Sequence, residues 1–317
     1  MSFLFGLSST YPLWIIFFSF NGLFQSTGWP CNLKLASSAI PSNARGRSFG
    51  LWATNYQIGG GLATIVSTFL LVQYNWRYAF LAPGIFMVLW GLILFNLKNP
   101  LKKSESKTVH SFSVPKTYWN HIILLGGLYF FVKLFRYTIL FWLPFYLNTV
   151  HQFDLLKSGW VSLFFEIGGV FGVISFGWVC DYYFKNDRKK LLPYLFLCLS
   201  LVLYFFSINQ SSDLSILLPS IFLIGSFVFA PDTLIASTLS VDIGGYNFAG
   251  KITGIINGIG SIGAALSGIL SSWVAQQWGW SYVYLSFALL AIGMMIATLF
   301  ANRFIIHPHK KETFINL

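Results

Sequence analysis

Apolar residues in this chain fall in long unbroken runs, without the 3.6- or 2-residue alternation of half-buried helices and strands. Runs of about 20 apolar residues match the width of a bilayer core. They predict nine helices, near residues 12–33, 46–72, 78–97, 119–147, 158–179, 191–208, 214–240, 252–275 and 281–302. Short polar connectors separate them. The longest, 98–116 (KNPLKKSESKTVHSFSVPK), is basic, Ser-rich and ended by Pro115, which marks it as a linker between two groups of spans. The expected class is an all-α polytopic membrane protein.

Composition narrows this further. The 317 residues are 56% hydrophobic, 19% aromatic and 9% charged, with a mean hydropathy of +0.67, against about 25% charged in soluble domains. A soluble enzyme, a disordered chain, a collagen and a disulfide scaffold are all excluded. The net charge of +11 would suggest nucleic acid in a soluble protein, but the basic residues sort by connector. Sixteen of the 20 lie in connectors on one side, from Lys34, Arg45 and Arg47 to Arg303, Lys310 and Lys311. Arg77 and Lys157 lie on the other, and Lys133 and Arg136 fall inside the fourth span. The positive-inside rule then puts linker and C-terminus in the cytoplasm and the N-terminus outside. The expected surroundings are a lipid bilayer, such as a plasma (inner) membrane, with the chain a monomer and no nucleic-acid partner. MSFLFGLSSTY has no basic n-region, so no cleavable signal is expected. Cys31, Cys180 and Cys198 lack CxxC spacing, the five histidines lack metal spacing, and no hydrolytic nucleophile–base pair is discernible. No metal, cofactor or catalytic residue is expected.

Laid over itself at an offset of 204, the chain matches RGRSFGLWATNYQIGGGLATI (from Arg45) to AGKITGIINGIGSIGAALSGI (from Ala249). Gly46, Arg47, Gly50, Ile58, Gly59 and Leu62 meet Gly250, Lys251, Gly254, Ile262, Gly263 and Leu266. The same offset lays Trp76, Tyr78 and Leu81 on Trp280, Tyr282 and Leu285. One offset serving two successive spans is a parallel internal repeat. It divides the chain into a three-span first part (1–97), a linker (98–117), a six-span second part (118–303) and a tail (304–317). Two six-helix parts in parallel repeat define the major-facilitator-type bundle, and by that count three N-terminal helices are missing.

NGLFQSTGWP (Asn21 to Pro30), ARGRSFGLW (Ala44 to Trp52) and the run Ile58 to Gly61 carry a family likeness. So do LFRYTILFWLPFYL (Leu134 to Leu147), FGWVCDYYFKNDRKK (Phe176 to Lys190), FAPDTLIA (Phe229 to Ala236) and GIINGIGSIGAALSG (Gly254 to Gly268). Together these resemble the organophosphate:phosphate antiporters, a family of glycerol-phosphate and hexose-phosphate carriers. The resemblance implies exchange of a phosphorylated metabolite for inorganic phosphate by alternating access. It implies a phosphate held by two arginines, one on the first helix of each part, with Arg136 as the second; the first would lie on a helix this chain does not contain. Tyr56 stands where some members carry a histidine. Phe229 and Ser261 stand where glycerol-phosphate carriers have tyrosines, and Phe141 replaces an acid, so a hexose phosphate or another organic anion fits at least as well.

An intramembrane cation marks a functional site by default, because burying it is costly. Lys133 shares a helix face with Arg136, and two adjacent cations call for an anion. The candidates for the substrate site are therefore Arg136, Lys133, Tyr56, Asn55, Glu166 and Asp232; Asn55 and Gln57 flank Tyr56. Alternatively, Arg136 forms a structural ion pair with Glu166. Asp232, beside Pro231, reads either as a contact to a substrate hydroxyl or a cation, or as a local partner of a helix break. Asp181 and Arg188, with Lys189 and Lys190, read as a conformational gate or as simple positive-inside anchoring. The Gly-rich runs 59–61, 168–172 and 254–268 read as packing and hinge. Gly258, Gly260 and Gly263 spell a dinucleotide motif, but no strand precedes them. The expected function is an organic-phosphate transporter; the alternatives are a non-transporting sugar-phosphate sensor and an inactive truncated transporter.

Overall fold

The computed structural model describes residues 1–40, 45–96, 114–184, 187–209 and 211–304, and they are helical with no strand among them. Most of the predicted linker (98–113), the tail beyond 304 and Lys185 lie outside the described residues. A short helix α1 (Ser2–Leu7) precedes α2 (Tyr11–Ser26), α3 (Gly28–Ala39), α4 (Arg45–Gln73) and α5 (Tyr78–Asn96). A second set follows: α6 (Trp119–Val150), α7 (Leu155–Tyr183), α8 (Leu192–Ile208), α9 (Leu214–Thr233), α10 (Ser240–Trp278) and α11 (Trp280–Phe304).

Eight of the described helical stretches are long and apolar enough to cross a membrane. The first predicted span, 12–33, is divided at Thr27 into α2 and α3. Pro30 explains the division, since it has no N–H to return to the Ser26 carbonyl. Helix α1 was not predicted; it packs on α5, where Phe3 backbone stands against Gly84 and Leu81 against Gly6. Between α9 and α10 the chain reverses without leaving helical geometry. Thr253 Oγ1 donates to Ser240 Oγ at 2.8 Å across 13 residues, and the Gly244 α-carbon faces the Ala249 backbone. This reversal is the connector expected after the seventh span.

One large apolar core joins the helices of the second set, with Phe135, Phe165, Phe196 and Phe229 fully buried. Its tightest seam is between α7 and α9. A Cβ at Gly168 would overlap the Phe222 carbonyl, and one at Gly225 would overlap the Phe165 carbonyl. Ser226 Oγ uses the same approach to donate to Gly168 O at 2.9 Å. In a bilayer, where lipid tails are as apolar as Leu, such backbone proximity is what favours association. Gly263 does the same for α10 against the Phe130 carbonyl of α6. The packing expectation is not met throughout: Gly59, Gly61, Gly254, Gly258 and Gly268 have nothing within 4 Å of a would-be Cβ, because they face away from the seams.

Gly168→Val should lower the unfolding temperature of the detergent-solubilised protein, at a cost of about 1–3 kcal/mol for overpacking. Gly268→Val, on an open face, should leave it nearly unchanged; equal effects would contradict the seam.

Candidate functional site

Lys133 and Arg136 lie one turn apart on α6, both buried, Arg136 to 4% exposure. They line a central cleft of about 270 Å³, whose other walls come from Gln25, Trp29, Tyr56, Gln57, Tyr129, Asp232, Asn257 and Ser261 among others. Lys133 Nζ donates to Asn257 Oδ1 at 2.7 Å and to Ser261 Oγ at 3.2 Å, both on α10. The Arg136 guanidinium lies 4.3 Å from the Tyr56 ring and 4.5 Å from the Phe229 ring, a cation–π sandwich between α4 and α9.

Arg136 Nη1 donates to Asp232 Oδ2 at 2.9 Å. The rest of the fork is unused: Nε and Nη2, and the second oxygen of Asp232, are buried without a hydrogen-bond partner among the described residues. A guanidinium carries five donors in a plane that matches two oxygens of a phosphate or carboxylate. Unsatisfied buried charge of both signs is costly, and an anion carrying donor groups would relieve both.

Asp232 sits in the last turn of α9, just before a change in helical geometry. Pro231 removes a backbone donor, and the chain continues through a π-helical turn, Leu234–Leu239, a feature frequent at functional sites. Ser237, Thr238 and Ser240 return their hydroxyls to carbonyls of the preceding turn. Trp29 Nε1 donates to Ala236 O at 3.2 Å, tying α3 to this turn.

The predicted residues separate into groups. Arg136, Lys133, Tyr56 and Asp232 come together, and Tyr56 Oη is 3.3 Å from Tyr137 Oη. Asn55 does not join them: Ala53, Tyr56 and Gln57 hold the cleft face of α4, and one residue away the helix turns Asn55 outward. The Arg136–Glu166 pair is not formed either. Asp232, beside Pro231 on α9, takes Arg136 instead, while Glu166 lies on α7 beside Gly60, off the cleft, with Oε2 buried and unpartnered. Gln25 and Trp29, seen in the sequence only as part of NGLFQSTGWP, line the cleft, as do Tyr129 and Asn257. Phe141 is exposed and outside it.

A second charged cluster sits at the Tyr183 end of α7. Asp181 Oδ2 accepts the backbone N–H of Arg47 at 2.9 Å, in the first turn of α4. Arg188, 3% exposed, lies 3.8 Å from Asp181 and 2.5 Å from Asp242 at the start of α10. Asp242, unnoticed in the sequence, completes this bridge. Beside it Leu33, Phe49, Val241 and Ala249 form a small buried plug joining α3, α4 and α10. At the other end of α4 and α7 the helices enclose an apolar gap of about 300 Å³.

Helices that cross a membrane around a buried cationic cleft, closed at one end by ion pairs and an apolar plug, define a membrane carrier bundle. The chain belongs to the Major Facilitator Superfamily, whose family model matches residues 1–267. It is 28% identical over 331 residues to the "Probable hexose phosphate transport protein" of Chlamydia muridarum (strain MoPn / Nigg), covering 93% of this chain and 71% of that one. It is 28% identical over 326 residues to Sugar phosphate exchanger 3 of Bos taurus, covering 88% and 64%. A glucose-6-phosphate exchanger of Homo sapiens is 26% identical over 357 residues, covering 89% and 66%. The chain thus spans about two thirds of the length of these relatives.

Arg188→Ala should open the charged end of the bundle. With Cys31 and Cys198 replaced by Ser, alkylation of Cys180, which is fully buried beside Asp181, should accelerate about tenfold, as expected for loss of a buried charge–charge contact. An unchanged rate would show that the bridge does not hold that end shut.

Proposed function

We propose that the protein is a secondary carrier of organic phosphates, sugar phosphates or glycerol phosphate, exchanging them for inorganic phosphate by alternating access. The observation that carries this reading is the half-used fork of Arg136, two buried donors without partners in a cleft that also holds Lys133. The names of the relatives, hexose phosphate transport protein and sugar phosphate exchanger, point the same way. On this reading the chain is a carrier and not an enzyme, and its substrate is a small anion.

Arg136 receives two phosphate oxygens side by side, which Lys, as a point charge, cannot do. Lys133, steered by Asn257 and Ser261, adds a second charge. Tyr56 walls the guanidinium and offers its hydroxyl to a phosphate oxygen. Asp232 holds Arg136 while the cleft is empty of anion and yields it on binding. Glu166 supplies balancing negative charge from behind α4.

The bound state must also bias the two ends of the bundle differently. Asp181 and Arg188 act as the gate: they hold the first turn of α4 when that end is shut and release it when that end opens. The positive-inside count assigns this end to the cytoplasm, with linker and tail, so the conformation described is closed inward. The chain works as a monomer in a plasma (inner) membrane, with 1–97 and 118–303 as its two moving parts and 98–117 as their tether.

The test is exchange in liposomes loaded with inorganic phosphate, followed by uptake of labelled sugar phosphate. Arg136→Ala should abolish uptake, and Arg136→Lys should lower apparent affinity at least about tenfold, the order expected for losing a charged hydrogen bond. Uptake by Arg136→Ala at the wild-type rate would refute the assignment.

A further inference from the structure

The phosphate reading accounts for donors in the cleft but leaves buried acceptors over. Gln57 is 2% exposed, lines the central cleft from α4, and its carbonyl Oε1 accepts no hydrogen bond among the described residues. It lines the same cleft as Arg136, whose guanidinium the Tyr56 ring covers. A buried polar group without a partner costs free energy and calls for a role.

An amide oxygen is of no use to a phosphate dianion, because both are acceptors. It is complementary to a hydroxyl. Asp232 Oδ1, on the same cleft, is likewise buried and unpartnered, so the cleft holds spare acceptors as well as spare donors. A ligand that satisfies both carries an anionic group at one end and O–H groups on the rest of its frame.

Resting on the phosphate reading of this same site, we infer that Gln57 is a specificity-determining residue: its side-chain amide accepts a hydroxyl of the esterified polyol and so favours hydroxylated phosphate esters over esters without a hydroxyl. Sites built to bond a hydroxyl reject analogues lacking it far better than apolar pockets reject an added methylene, since the buried group is then left unpaired. Selection by Gln57 thus acts on the organic part, and Arg136 on the anion common to every substrate.

The test pairs a change in the residue with a change in the ligand. Binding of glucose 6-phosphate, glycerol 3-phosphate and ethyl phosphate to the full chain in nanodiscs is measured by Trp fluorescence, Trp29 and Trp52 standing at or beside the cleft. Wild type should bind the hydroxylated esters about tenfold more tightly than ethyl phosphate, the effect of one buried hydrogen bond. Gln57→Met, similar in length but without the amide, should lose that margin while binding ethyl phosphate within about twofold of wild type, too small a change to be a hydrogen bond. An equal loss for all three esters would make Gln57 a structural residue and overturn the inference, as would no loss at all. If Gln57→Met fails to fold, the wild-type margin alone decides: no preference over ethyl phosphate sinks the inference. Failure of wild type to bind any of the three esters would instead remove the phosphate reading beneath it.

Discussion

The buried pair of Arg136 and Asp232 is the constraint around which this bundle is organised. Removing two opposite charges from water costs several kcal/mol per ion, recovered only if geometry and further hydrogen bonds are good. Here one hydrogen bond, at 2.9 Å, joins them, and the guanidinium gains two aromatic faces in place of further oxygens. The remainder of both groups is left without partners. A fully satisfied pair would be an inert strut; this one keeps unused donors and an unused acceptor within the buried cleft.

Everything that places the pair follows from departures from regular helix. Pro231 and the π-helical turn bring Asp232 to the cleft, and glycine seams let α7 press on α9 so that Phe229 reaches the guanidinium. Helix α4 then links the cleft to the closed end. Its first turn is bound by Asp181 through the Arg47 N–H, and Tyr56 and Gln57 lie on the same rigid rod about 14 Å further on at 1.5 Å per residue. Close contact at Gly50, whose Cβ would stand 2.9 Å from the Val173 carbonyl, packs α4 on α7 backbone to backbone.

The helical bundle was legible in the sequence because long apolar runs have few other solutions. Arg136 and Lys133 were legible because charge inside a span is rare, and the seventh-span connector because its polar residues interrupt the apolar pattern. Asn55 was misplaced since proximity in sequence to Tyr56 says nothing about which way a helix turns between them. The letters left both Glu166 and Asp232 open as acids near Arg136, because no pattern in them shows which of two intramembrane acids on neighbouring helices faces a given cation. Gln25, Gln57 and Asn257 are ordinary amides, silent until the fold surrounds them with apolar walls. The split at Thr27 had a visible cause in Pro30, outweighed by the length of the apolar run.

The internal repeat explains why the cleft is lopsided. The offset that aligns α4 with α10 sets Tyr56 opposite Gly260. On α4 the bulky ring advances into the cleft and covers Arg136. On α10 the equivalent place has no side chain, and the space a Cβ would need is occupied by Tyr129 and the stem of Lys133. Lys133 can then reach Asn257 and Ser261, three residues before that glycine and one after it. The same position in two copies of one helix thus supplies a lid in the first and a channel for a cation in the second. Both meet α6, which carries the two charges, so a duplicated pair of helices yields a cleft whose two sides differ.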